Sequence, residues 1–249
     1  MNLLAVERIK LFTTRSPWWC GFIAIALTAG FGAILAAASS DDNPISIGST
    51  QFGYQFGVAV IMVLAALSVT TEYRFGTIRT TFQAVPHRTS VLLAKAGVIA
   101  LVSLVIGEIG AFGAWGVCYL IRPQDGLGLS TSADWINVAG VGVLFAIAAV
   151  IALSVGVLVR HSAGAIALLL IYVLAVENLV QVIPKVGSKI HNWMPFTVAD
   201  NFLHGANSAP PGSAASDSVL SQGESLAYFA GFAVVMLVIA IGVAKKRDA

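Results

Sequence analysis

The sequence predicts an all-α integral membrane protein with six transmembrane helices, and three observations carry that reading. Of 249 residues, 57% are hydrophobic and only 10% are charged, against about 25% charged in a soluble domain. Six apolar runs are each long enough for the roughly 20 helical residues that a bilayer requires. The runs are continuous, without the two-residue alternation of a barrel strand, and an open sheet is excluded because lipid cannot satisfy its edge groups.

The spans fall at about 17–38, 52–71, 96–120, 136–159, 163–183 and 226–244, within one transmembrane domain covering residues 1–249. Ahead of the first lies a short basic segment, residues 1–16. It reads as an interfacial elbow helix with Trp18 and Trp19 at headgroup level. A basic tail that only sets topology accounts for it as well. The first apolar run exceeds the 7–15 residues or so of a cleaved signal core, so it is expected to be a retained span.

Spans two and three are separated by about 24 residues, Glu72 to Lys95, whereas spans four and five join through Arg160-His161-Ser162 alone. On the opposite side, Ser39–Gln51 and Ile121–Trp135 are short, but Pro184–Ser225 is about 40 residues long. The first half of that stretch, Pro184–His204, mixes apolar and polar residues and is expected to form one or two short helices re-entering the outer leaflet. A surface loop is the alternative. The second half, Gly205–Gln222, is rich in Gly, Ala, Ser and Pro and is expected to be mobile.

Orientation follows from the basic residues. One set of ends carries Arg8, Lys10, Arg15, Arg74, Arg79, Arg88, Lys95, Arg160, Lys245, Lys246 and Arg247, which is 11 of the 14 Lys and Arg. The other carries Arg122, Lys185 and Lys189 beside seven acids: Asp41, Asp42, Asp125, Asp134, Asp200, Asp217 and Glu224. Both termini are therefore expected in the cytoplasm. Cys20 and Cys118 lie near opposite membrane faces, too far apart for a disulfide.

Signals for catalysis are absent. No Gly-x-x-x-x-Gly-Lys-Ser/Thr is present to cradle a nucleotide's phosphates, and His87, His161, His191 and His204 are scattered over both sides, which argues against a metal cluster. The informative stretch is Thr71 to Arg79, a charged passage wedged between two apolar runs. Glu72 follows the C-terminal end of a helix, where the dipole disfavours a carboxylate by a few tenths to about 1 kcal/mol. It needs a cationic partner: Arg74, Arg79 or a residue of another subunit. Gly76 permits a sharp turn, Thr77 can cap a following helix over Ile78–Val85, and Pro86 ends it. A compact helix parallel to the membrane face results, showing Arg79 and Gln83 on one side.

Glu72-Tyr73-Arg74-Phe75-Gly76-Thr77-Ile78-Arg79, placed after a second span, resembles the coupling-loop motif of ABC type-2 permeases. Glu7-Arg8-Ile9-Lys10-Leu11, with Thr13 to Ser16, is similar to the amino-terminal elbow of that family, and the six-span topology matches over the whole chain. The resemblance implies a permease subunit of an ATP-driven exporter in a bacterial-type inner membrane. It implies that Glu72 to Pro86 couple to a separate ATPase subunit, in two copies, which binds the ATP and Mg. This chain is expected to bind no cofactor and no nucleic acid, and to pair with a second permease, identical or homologous. The pore lining is little preserved in the family, so cargo does not carry over. A path lined by Ala, Val, Leu and Phe suggests an amphipathic drug, peptide or lipid.

Glu108 and Glu177 stand within spans three and five, where a charge costs about 2.5–3.5 kcal/mol on insertion scales. For Glu177, with Asn178 beside it, a translocation-path role and a helix-locking role stand open. For Glu108 the expectation is a carboxyl that locks two helices, because Gly107, Gly110, Gly113 and Gly116 recur around it as a packing face. The Ala-rich fourth span is its expected neighbour. Two other functions are compatible with the chain: an ion-coupled carrier using Glu108 and Glu177, or a membrane scaffold or sensor. The carrier folds usually show inverted repeats, and none is seen.

Overall fold

A computed structural model describes residues 3–40, 44–85, 87–123, 125–183, 186–205 and 220–247. It is all-helical. In chain order stand α1 (Leu3–Phe12), α2 (Ser16–Ala38), α3 (Ile47–Thr50), α4 (Tyr54–Arg74), α5 (Thr77–Ala84), α6 (Arg88–Ile121), α7 (Ser132–Val159), α8 (Ser162–Val180), α9 (Gly187–His191), α10 (Pro195–His204) and α11 (Gln222–Arg247). Six of these, α2, α4, α6, α7, α8 and α11, are long and apolar enough to cross a membrane. The segment 206–219, which holds most of the Gly-Ala-Ser-Pro stretch, lies outside the described residues, as does Pro86.

Helices α7 and α4 form the buried centre, while α2, α8 and α11 leave most of their surface exposed. Helix α7 begins four residues before its apolar run because of a capping box. The Thr131 hydroxyl accepts the Asp134 N–H at 3.2 Å, and the Asp134 carboxylate accepts the Thr131 N–H at 2.7 Å. Helix α6 likewise overruns its apolar run at the basic end. Arg88 to Lys95, read from hydropathy as loop, are its first two turns. The connection from α4 to α6 is correspondingly short, and Lys95 is held on a rigid element.

The glycine stripe of α6 divides between two neighbours. A Cβ on Gly107 would meet Gly142 Cα at 2.8 Å, so α6 and α7 touch backbone to backbone there. Gly110 instead faces Thr28 and Ile25 of α2, Gly113 approaches only Ala29 of α2, and Gly116 has open space around it. Helical geometry explains the split. Three residues turn a helix by about 300°, so each successive glycine drifts about 60° around the axis and four cannot face one partner.

At the face opposite the termini, α9 and α10 fill the first half of the long connection. Pro195, Val198, Ala199, Phe202 and Leu203 of α10 are buried. A Cβ on Gly140 would meet Leu203 and Phe202, each at 2.9 Å. Gly140 stands eight residues into α7, about 12 Å along its axis, so α10 packs well below the end of that helix.

Candidate functional site

The basic face is organised by a buried cluster of four charges. Lys95 of α6 donates to Glu7 Oε2 of α1 and, at 2.9 Å, to Glu72 Oε1 at the end of α4. Lys10 of α1 donates to Glu7 Oε1 at 3.0 Å, lies 3.5 Å from Glu72 Oε1, and donates to Thr81 Oγ1 of α5 at 3.1 Å. Side-chain exposures of 6% for Lys95 and 4% for Glu7 mean that neither charge could stand alone. Burial alone would lower the Lys10 pKa, but the Glu7 and Glu72 carboxylates outweigh it and hold the ammonium above its ordinary value.

Glu72 thus has its cation, though neither of the arginines named from the sequence supplies it. The partners are Lys95 and Lys10 of the same chain. Arg74 instead lies over the Phe75 ring at 5.5 Å. Sequence reasoning missed Glu7, Lys10, Lys95 and Thr81 as site residues. A signal was present: Lys95 sits between Leu92-Leu93-Ala94 and Ala96-Gly97-Val98, an apolar setting that demands a partner.

Gly76 makes the corner from α4 to α5. Its φ of 74° is left-handed, and its N–H bonds Tyr73 O at 3.3 Å, closing the end of α4. The N-cap of α5 is Gly76, so Thr77 is the first helical residue and caps nothing; its hydroxyl reaches back to Glu72 O at 3.5 Å. The helix is amphipathic. Ile78 is buried and Thr81, Phe82 and Val85 are half-buried, a one-sided i, i+3, i+4, i+7 pattern. Arg79, Thr80, Gln83 and Ala84 face outward, next to Phe75, which is 72% exposed. Tyr73 packs under the Arg160 guanidinium at 5.0 Å, and Arg88 stacks on Phe82 at 5.4 Å while reaching Lys245 O of α11. The stretch from Glu72 to Gln83 therefore has a root (Glu72, Tyr73, Ile78) bonded into the helices and a free face (Phe75, Arg79, Gln83).

Open space surrounds the Gly76 α-carbon, so only backbone strain opposes a side chain there. Gly76→Val is expected to destabilise the corner by about 1–2 kcal/mol, and Gly76→Asn by less, since Asn tolerates the left-handed region. Trypsin cleavage after Arg74 and Arg79 should rise in the order Gly, Asn, Val. Equal rates in all three would contradict the reading of this corner.

On the opposite face, Glu177 is 4% exposed and holds the start of α10. Its carboxylate accepts the N–H groups of Phe196 (3.1 Å) and Thr197 (2.8 Å) and the Thr197 hydroxyl (3.0 Å), while His191 Nδ1 lies 2.9 Å from its carbonyl oxygen. A helix start offers unsatisfied N–H donors and the positive end of the dipole, which a carboxylate complements. A π-turn at Tyr172–Val176 aims it. In an unbroken α-helix Glu177 would stand about 120° from the buried Ala165, and the extra residue of the π-turn takes back about 100°. This is the geometry of the helix-locking role. Asn178 is exposed, its amide bonded to Leu174 O at 3.2 Å.

Glu108 is half-buried, its carboxyl laid against the Gly142 backbone of α7, and it has no hydrogen bond to any described residue. Its contact with α7 is one of packing. No group of His, Cys, Asp and Glu among the described residues is arranged to hold a metal.

The far end of α10 is latched as well. Asp200 Oδ1 accepts the Tyr54 hydroxyl of α4 and lies 3.2 Å from His204 Nδ1. Burial would raise the Asp200 pKa, but His204 and Tyr54 pull it below the usual carboxylate value. Burial would lower that of His204, but Asp200 outweighs it and holds the imidazole above 6.5. The His204 contribution is full below 6.5 and is lost as pH rises through the raised value; the Asp200 contribution is full above 3.8 and is lost as pH falls through the lowered one. Protection of the amides over Phe196–His204, taken relative to the base-catalysed intrinsic exchange rate, should thus be greatest between those values and fall at alkaline pH. His204→Gln should abolish the alkaline step, and an unchanged step in that variant would contradict the latch.

Six apolar helices, with one short surface helix rooted among them by buried ion pairs, define a multi-pass membrane protein. The sequence profile of the family described as "ABC-2 family transporter protein" matches residues 3–176, and the chain belongs to that family. Its members are generally non-catalytic membrane subunits that typically work with ATPase subunits. The match takes in α1, α5 and the helices that supply all four charges of the cluster. No curated protein matches the chain.

Proposed function

We propose that this chain is the permease subunit of an ATP-driven exporter and receives force through α5. The single observation that carries the proposal is the division of α5 into a bonded root and a bare outer face. A helix eight residues long gains little stability on its own. Here it is held by Ile78, Thr81 and Phe82 while Phe75, Arg79, Thr80 and Gln83 stay exposed. A push on α5 passes to α1 through Lys10–Thr81 and to α4 through the Gly76 corner. It reaches α11 through Phe82, Arg88 and Lys245.

In this reading the basic face is cytoplasmic, in a bacterial-type inner membrane, and two copies of an ATPase subunit bind ATP and Mg. A second permease, identical or homologous, completes the path for an amphipathic cargo carried outward. An ion-coupled carrier is less well supported, because the Glu177 carboxylate is already engaged by α10. Co-purification of an ABC ATPase subunit with the tagged permease from its native membranes tests the proposal. Phe75→Asp combined with Arg79→Glu should abolish recovery of the ATPase while the permease stays folded. Undiminished recovery would remove the proposal's support.

A further inference from the structure

Behind the four-charge cluster lies a half-open cavity of about 450 Å³, lined by α1, the start of α2, the lower half of α4 and the start of α6. That volume lies within the range of about 300–1,000 Å³ typical of small-molecule sites. Its walls divide by chemistry. At one end stand Glu7, Lys10, Glu72 and Lys95; along the rest run Leu11, Leu64, Leu67, Val98 and Ile99. Leu64 is eight residues from Glu72, so the apolar part extends about 12 Å from the charges along α4.

The charged end has one acceptor left over. Both oxygens of Glu7 are bonded, to Lys10 and Lys95, and Glu72 Oε1 faces both lysines. Glu72 Oε2 is buried and has no partner among the described residues. An unmatched buried carboxylate oxygen is costly, and a donor that reached it would form a charge-assisted hydrogen bond. The three N–H groups of Lys10 already meet Glu7, Thr81 and Glu72, so this lysine has no donor to spare for an anion. Lys95 likewise commits N–H groups to Glu7 and Glu72, so a head group beside Glu72 is best matched by a cation with N–H donors, and the adjoining wall favours an alkyl chain.

The geometry points to a binding site for an amphiphile with a primary ammonium head, the head on Glu72 Oε2 and the tail between α4 and α6. Glu72 thereby serves two ends: its Oε1 fastens the root of α5, and its Oε2, covered in the unliganded chain, meets the guest once the carboxyl group turns. An aminolipid of the adjoining leaflet and a free alkylamine share this chemistry. Of the lining residues only Phe75 also belongs to the exposed face beside α5, so binding measured without an ATPase separates this site from the docking proposal.

The test uses the purified full chain in phosphatidylcholine nanodiscs, without ATPase, with dansyl-dodecylamine as the fluorescent probe. Dodecylamine should displace the probe about tenfold more effectively than dodecanol, the difference one charge-assisted hydrogen bond supplies, and dodecyl sulfate should compete no better than the alcohol. Glu72→Gln should erase the preference for amine over alcohol. Leu67→Trp, which fills the apolar wall and leaves all four charges in place, should weaken probe binding by about tenfold. Adding phosphatidylethanolamine to the discs separates the sources. A fall in probe affinity assigns the site to an aminolipid, and an unchanged affinity assigns it to a free amphiphile. Equal displacement by amine and alcohol, stronger displacement by dodecyl sulfate, or full probe binding by Leu67→Trp would each overturn the inference and leave a water-filled cavity.

Discussion

Replacing Lys95 with methionine is expected to cost about 3–5 kcal/mol of stability. The methionine fills nearly the same volume, so the loss is electrostatic. Lys95 ties α6 to Glu7 of α1 and Glu72 of α4, and at 6% exposure it leaves little room for water to replace it. Lys10 can still reach both carboxylates, but its side chain is 34% exposed and stands at the edge of the cluster. Thermal unfolding in detergent should show the loss, with release of α1 as the first event. Lys95→Met combined with Glu7→Gln should recover part of it, because a lone buried carboxylate is worse than a missing pair. If Lys95→Met unfolds like the parent protein, the cluster is not what fastens α1 to the spans.

Glu177→Leu is expected to have the next largest effect, about 2–5 kcal/mol, from two backbone N–H groups and one hydroxyl left without their acceptor. The loss should be local. Amides from Phe196 to Val198 should exchange faster by orders of magnitude while the α4–α7 core keeps its protection. Glu177→Gln retains one acceptor oxygen and should fall between parent and leucine variant. A leucine variant with parental exchange over α10 would show that burial of Phe202 and Leu203, rather than the carboxylate, holds that helix in place.

The membrane class and the number of spans were legible because lipid imposes length and composition directly on the sequence. Polar requirements were legible only as demands. Glu72, set against a helix dipole, announced that it needed a cation, and Glu177 announced that it could not face lipid. Neither identified its partner, because the partners depend on how helices distant in sequence meet. Lys95 reaches Glu72 only because α6 starts at Arg88, some two turns before its apolar run, and hydropathy is blind to that. The π-turn that aims Glu177 leaves no Pro or Gly in Tyr172–Val176 to mark it. Thr77 looked like a cap because Gly76 was taken as a plain turn; the left-handed glycine serves as the cap position itself. The small-residue stripe of α6 packs at Gly107 and Gly110, but its three-residue period rotates it away from any single neighbour.

The most direct test of the central claim places one cysteine at Gln83, on the bare face of α5, with Cys20 and Cys118 replaced by alanine. In membranes that also contain its proposed ATPase partner, a short bifunctional maleimide should join this position to the ATPase and arrest ATP turnover. A cysteine at Ser130, on the opposite face, should give no such product. An ATPase that couples to this permease yet never crosslinks through position 83 would contradict the claim that α5 receives the force.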